Sequence, residues 1–211
     1  MRILFLIAFS TLSLKPFAQD AERVIWALRL GYSANQAVFK IPQTQATQRV
    51  DGGYFGLQLK IPFDNRLYFK PLVDLHYRGM KLQTAIPNEF SSITEAQIRV
   101  APLLHLQLTG KKNKPGALFI QAGPSFGFGV WGRQTRQNNN NTPETQKLKY
   151  GFQAYGRYDF TLHAGLGIET RGGFQLHVDY NHGLSNMINT EFGPVLKYRY
   201  LSAGISLPIR K

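Results

Sequence analysis

Apolar and polar residues alternate with a period of two in one segment after another, and this constrains the fold of the chain more than any other feature. Along residues 160–169, Phe160, Leu162, Ala164, Leu166 and Ile168 alternate with Thr161, His163, Gly165, Gly167 and Glu169. Phe174, Leu176, Val178 and Tyr180 alternate in the same way with Gln175, His177, Asp179 and Asn181. Residues two apart share a face of a strand but lie on opposite sides of a helix, so only strands can use such a pattern.

The same reading extends along the chain. Val24, Trp26, Leu28 and Leu30 oppose Ala27, Arg29 and Gly31, while Phe55, Leu57, Leu59 and Ile61 oppose Gly56, Gln58 and Lys60. Leu67, Phe69, Pro71, Val73, Leu75 and Tyr77 oppose Lys70, Asp74, His76 and Arg78. Ile98, Val100, Pro102, Leu104 and Leu106 oppose Gln97, Arg99, His105 and Gln107. Leu118, Ile120, Ala122, Pro124, Phe126, Phe128 and Val130 oppose Phe119, Gln121, Gly123, Ser125, Gly127, Gly129 and Trp131. Leu201, Ala203, Ile205 and Leu207 oppose Ser202, Gly204 and Ser206. Pro71 and Pro102 each remove a ladder hydrogen bond, so a bulge is expected at both.

The pattern gives about eight strands. Short connections fall at 64–65, 109–116 and 171–173, and long polar ones near 33–51, 82–93, 132–148 and 182–194. This is the signature of an all-β, closed, antiparallel up-and-down transmembrane barrel, with short periplasmic turns and long outer loops. One domain over 20–211 is expected, with both of its ends on the turn side.

The wholly apolar face is assigned to lipid: Trp26, Leu28, Leu57, Leu59, Val73, Leu75, Leu104, Leu106, Ile120, Phe126, Phe128, Phe160, Leu162, Leu166, Leu176, Val178, Leu201 and Ile205. The other face is assigned to a narrow lumen filled by a polar network of Arg29, Lys60, Lys70, Asp74, His76, Arg78, Arg99, His105, His163, Glu169, His177 and Asp179. In such a network each buried charge needs a partner, and an eight-stranded barrel leaves no open bore. A soluble lipocalin-like barrel is the alternative, with the two faces exchanged around a ligand.

Residues 1–19 read as a secretory signal: Arg2 is the positive start, residues 3–14 form an apolar core too short to span a bilayer, and cleavage is expected near Ala18 or Gln19. Beyond this leader no apolar run approaches the ~20 residues a membrane helix needs. The chain carries +13 and no cysteine, and loss of Arg2 and Lys15 with the leader lowers the charge to +11. Export and the scattered placement of the charges argue against nucleic acid. Outer-membrane lipids and lipopolysaccharide are the expected counter-ions, with an envelope protein as a further partner.

The leader ending Phe17-Ala18-Gln19, the eight-strand pattern, the stretch Gly183-Leu184-Ser185-Asn186-Met187-Ile188 and the closing run from Lys197 to Ser206 together resemble the PorT-like outer-membrane β-barrel family. The resemblance implies an outer-membrane barrel. It does not carry a secretion role over to this chain.

Candidate chemistry is sparse. His182 and Ser185, with Glu191 as orienting acid, are similar to the catalytic pair of lipid A deacylases. Their i, i+3 spacing, however, puts the two side chains on opposite strand faces. The expected role is therefore non-enzymatic, structural or partner-docking through the outer loops. His76, His105, His163 and His177 lack the tight spacing of a metal-ligand set, so neither metal nor cofactor is expected. Lys111, Lys112 and Lys114 read as a solvated periplasmic turn. Tyr198 and Tyr200, between Lys197 and Arg199, read as an outer aromatic, lipopolysaccharide-binding rim.

Overall fold

The computed structural model describes residues 24–40, 46–83, 90–109, 117–137, 142–151, 154–188 and 195–209. The expected leader, the basic turn at 111–114 and Glu191 lie outside the described residues. The strands are β1 (Ile25–Lys40), β2 (Ala46–Gln48), β3 (Val50–Asp64), β4 (Leu67–Gln83), β5 (Phe90–Gln107), β6 (Ala117–Gln137), β7 (Glu144–Lys147), β8 (Tyr158–Glu169), β9 (Gln175–Gly183) and β10 (Val195–Ile209).

Eight long strands pair antiparallel in the cycle β1–β3–β4–β5–β6–β8–β9–β10 and back to β1. Closure leaves these strands no unpaired edge within the wall. Trp26 pairs with Ile209, so the two described ends meet at the rim that also carries the turns after β3, β5 and β8. By the rule for bacterial barrels this rim is periplasmic. On β4 the outward positions from Leu67 to Tyr77 are all apolar, and at ~3.3 Å per residue and a tilt near 40° they cover the ~25 Å of a hydrocarbon belt.

At the opposite rim the strands run on through stretches expected to be loops. β1 continues to Lys40, β4 to Gln83, β5 starts at Phe90, and β6 reaches Gln137. Polar sequence ends the outward apolar band there without ending the ladder, because the backbone groups still need partners. The short β2 adds to β4 and β7 to β6, so β2–β4–β5–β6–β7 make one tall wall outside the belt.

Three expectations are corrected. Pro71 and Pro102 face each other in register, and no bulge lies at either. Instead the ladder pairs are missing on the far side of each proline, between Gln58 and Ile61 on β3 and between Val100 and Leu104 on β5, where Pro124 of β6 is the facing proline. The missing N–H groups are thus absorbed as gaps. A bulge does occur further along β6: Ala96 pairs with Trp131 but Gln97 with Gly129, so Val130 is the extra residue. The bulge reverses the alternation, and Trp131 points outward instead of into the lumen. Tyr198 and Tyr200 are the third case. Both are buried, at 0% and 2% exposure, because they share the parity of Ser202 and Ser206 on the inner face.

Candidate functional site

The inward-facing side chains are mostly polar and buried. Arg29, Lys60, Lys70, Asp74, His76, Arg78, Arg99, His105, His163, Glu169, His177 and Asp179 are all buried within the barrel. Trp26, Leu57, Val73, Leu75, Leu104, Leu106, Ile120, Phe126, Phe128, Leu162, Leu166, Leu176, Val178 and Leu201 are exposed on its outside. Leu28, Leu59, Phe160 and Ile205 lie on the same outer face, half-covered by neighbours. This is the reverse of a soluble ligand-holding barrel.

The contacts form three layers. Near the periplasmic rim, Lys60 Nζ donates to both oxygens of Glu169 at 2.7 Å and lies 4.1 Å from the Tyr68 ring centre. Gln175 also donates to Glu169, at 3.0 Å, and His105 stands 3.6 Å from it. Lys70 donates to Gln121 at 2.9 Å and to Gln175 at 2.7 Å.

At mid-height Asp179 is the hub. Gln121 donates to it at 2.6 Å and Arg29 at 3.3 Å, with His163 at 3.3 Å and His177 at 3.7 Å. Arg99 grips Asp74 through Nε at 2.9 Å and Nη2 at 2.5 Å and reaches across to the Tyr200 hydroxyl at 2.9 Å. Tyr54 Oη lies 2.9 Å from His177 Nε2 and His76 Nε2 3.0 Å from Ser33 Oγ. Gly31 and Gly204, paired across β1 and β10, give Tyr54 its space: a Cβ at either would come within 2.4 or 2.1 Å of the Tyr54 hydroxyl.

In the outer layer Arg78 binds Glu95 at 2.7 Å and also Asp159, with its guanidinium 3.9 Å from the Tyr198 ring centre. Glu95 and Asp159 are partners that a strand-by-strand reading left out. Both continue the inward parity of their strands, Glu95 with Gln97 and Arg99, Asp159 with Thr161 and His163. Among the described residues the buried cations Arg29, Lys60, Lys70, Arg78 and Arg99 are matched by five buried carboxylates, Asp74, Glu95, Asp159, Glu169 and Asp179. With neutral histidines these buried charges cancel. No group of three or more potential metal ligands converges among the described residues.

An apolar cluster, the cap, lies within the outer mouth. Leu148 and Tyr155, between β7 and β8, and Met187, between β9 and β10, pack on the inward-facing Ala37, Met80, Ile93, Leu196 and Tyr198. Backbone bonds hold the cap, from Gly156 N to Met187 O at 2.8 Å and from Met187 N to Leu196 O at 2.9 Å. The Tyr155 hydroxyl donates to Glu95 at 3.1 Å and stands 2.8 Å from the Tyr198 hydroxyl, whose own O–H can donate to it. Burial above all, with Tyr198 and Glu95 alongside, pushes the Tyr155 phenol well above its ordinary pKa.

His182 and Ser185 are not brought together. The His182 ring is 3.4 Å from the Tyr180 hydroxyl, on the outer face. The Ser185 hydroxyl donates to Asp159 at 2.7 Å and accepts from the Phe160 amide at 2.8 Å, where it fastens the end of β9 to the start of β8.

A closed antiparallel ring, apolar outside and polar inside with its longer connections at one rim, defines an outer-membrane β-barrel protein. Residues 17–189 match the family described as outer membrane protein beta-barrel domain, and the chain belongs to that family. Among solved structures it is similar to Ail of Yersinia pestis in complex with the heparin analogue sucrose octasulfate, at 11% identity over 89% of this chain and 100% of that one, TM-score 0.49. It is also similar to Neisserial surface protein A, at 11% identity over 89% and 100%, TM-score 0.45. The outer membrane enzyme PagL is similar at 17% identity over 84% and 99%, TM-score 0.42. No curated protein matches the chain.

Proposed function

We propose that this outer-membrane barrel is non-enzymatic, with a sealed lumen, and acts as a structural or partner-docking element through its outer surface and tall extracellular wall. The observation that carries this reading is the filling of the interior: buried charges that cancel, under an apolar cap of the protein's own loops. Such an interior leaves the outer surface as the part of the molecule able to meet a partner. The polar network as lumen filling, the apolar face as lipid belt, the leader cut near Ala18 or Gln19 and a place in the PorT-like branch belong to the same proposal.

Mass spectrometry of lipid A from cells with and without the protein tests it. The expected result is identical lipid A. Loss of an acyl chain only when the protein is present would replace this reading with a lipid-modifying enzyme.

A further inference from the structure

We propose that the outer rim of β6, β7 and β8 docks the phosphorylated disaccharide headgroup of lipid A. The proposal rests on the reading that the barrel works through its outer surface. Its first support is the bulge at Val130. Without that extra residue Trp131 and Arg133 would point inward; with it both face out, just above the apolar belt. Bulges commonly re-aim side chains in this way.

The second support is an electrostatic conflict. Arg133 stands directly opposite Lys147 across β6 and β7, and the Thr135 and Thr145 hydroxyls, 3.0 Å apart, show that these positions share one face. Like charges placed directly opposite destabilise a sheet, and an anion bound between them removes the cost. Among the described residues neither has a carboxylate partner on that face, since Glu144 sits opposite Arg136 on the alternate parity.

A third cation completes the surface. Arg157 lies where β6 parts from β8, its carbonyl accepting from the Gly129 amide at 2.7 Å. Its guanidinium is 5.4 Å from the Phe128 ring centre and 5.0 Å from that of Tyr150. Arg133, Lys147 and Arg157 are all exposed, and three cations on one stretch of rim suit a phosphorylated headgroup.

Below the cations lies an aromatic wall: Phe126 on Phe160 at 5.0 Å and Phe128 on Tyr158 at 5.4 Å, with Tyr158 74% exposed. Trp131, under the Arg133 guanidinium at 4.7 Å, offers its ring at the level of the headgroups. Flat ring faces against sugar and acyl chain, with cations above for phosphate, match a phosphorylated glycolipid of the outer leaflet.

The test uses the refolded full barrel in detergent micelles and reads lipid retention by native mass spectrometry. The probes are bisphosphorylated lipid A, monophosphoryl lipid A and phosphatidylglycerol. Arg133→Gln and Lys147→Gln should each weaken retention of the bisphosphorylated form by about fivefold, the effect of one basic residue at an anionic surface. Lys197→Gln with Arg199→Gln, on the β10 rim, should leave it unchanged. Lys147 is exposed and outside the closed wall, so its variant is expected to fold even if the Arg133 variant does not. Equal losses from both rims, retention unaffected by Lys147→Gln, or phosphatidylglycerol held as tightly as lipid A would each overturn the site. None of these results touches the sealed, non-enzymatic barrel, which the lipid A mass comparison tests separately.

Discussion

The Lys60 ammonium lies 2.7 Å from both carboxylate oxygens of Glu169, tying β3 to β8 across the periplasmic end of the lumen. Both side chains are almost fully buried, so removing one leaves an uncompensated charge inside the wall. Lys60→Met or Glu169→Met alone should cost about 3–5 kcal/mol, whereas the double variant should lose much less. Urea unfolding from lipid vesicles measures all three. Equal losses in the double variant and the sum of the singles would mean the pair does not act as a unit.

Much of this wall was legible from alternation alone. Leu162 outward and His163 inward follow from one strand read by itself, as do Asp74, His76 and Arg78 on β4. What alternation could not supply is parity beyond an irregularity. Strict alternation puts Trp131 inside, and nothing in Phe128-Gly129-Val130-Trp131 announces that Val130 is an extra residue; the bulge is a property of the pairing with β5. Tyr198 and Tyr200 differ: they share the inward parity of Ser202, and that parity outweighs the general preference of tyrosine for a membrane rim. The apolar cap was invisible for a third reason. Leu148, Tyr155 and Met187 carry no periodic signal, and only the closed wall around them makes a place for them.

Tyr54 depends on two glycines that are not next to it in sequence. A methyl group at Gly204 would lie 2.1 Å from the Tyr54 hydroxyl and 2.5 Å from the Leu30 carbonyl oxygen. Gly204→Ala should therefore displace the ring, break its contact with His177 and cost about 1–3 kcal/mol. Intrinsic tyrosine fluorescence and vesicle unfolding follow the change. Stability equal to the parent protein would show that the ring has room elsewhere.

The cap and the charge network together predict a barrel that passes little current in planar bilayers. Tyr155→Ala removes the residue that ties the cap to Glu95 and Tyr198, yet the Arg78, Arg99 and Asp179 layers below it remain. Conductance should stay small in that variant as well. Large stable single-channel steps in the parent protein would show an open interior.

Alkaline pH probes the same cap. The Tyr155 phenol titrates above its ordinary value of 10.0, so the folded state favours the neutral form. Its stabilising contribution is complete below the ordinary phenol pKa and is lost only as pH rises through the raised folded value. Ultraviolet titration should then show fewer phenolates in the folded barrel than in the urea-unfolded chain just above the ordinary pKa. The difference should shrink in Tyr155→Phe.

Leu162 and His163 test which side of the wall meets lipid. They are neighbours on β8, at 51% and 2% exposure, so their side chains leave opposite faces of one strand. Leu162 pairs with Pro124 and His182, well within the strand. An arginine there must put its charge into hydrocarbon, which near mid-bilayer costs about 2–4 kcal/mol. His163→Leu exchanges one inward side chain for another and removes the group facing Asp179 at 3.3 Å. Asp179 keeps Gln121 and Arg29, so the loss should be about 1–3 kcal/mol, the cost of a buried polar group short of one partner. Insertion itself should proceed in this variant. A barrel with its apolar face turned inward would invert both results, with Leu162→Arg disrupting a calyx and His163→Leu nearly neutral in water. Fluorophores placed at each site in lipid vesicles decide between them: hydrocarbon at 162 and none at 163 is expected, and the opposite pattern would turn the barrel inside out.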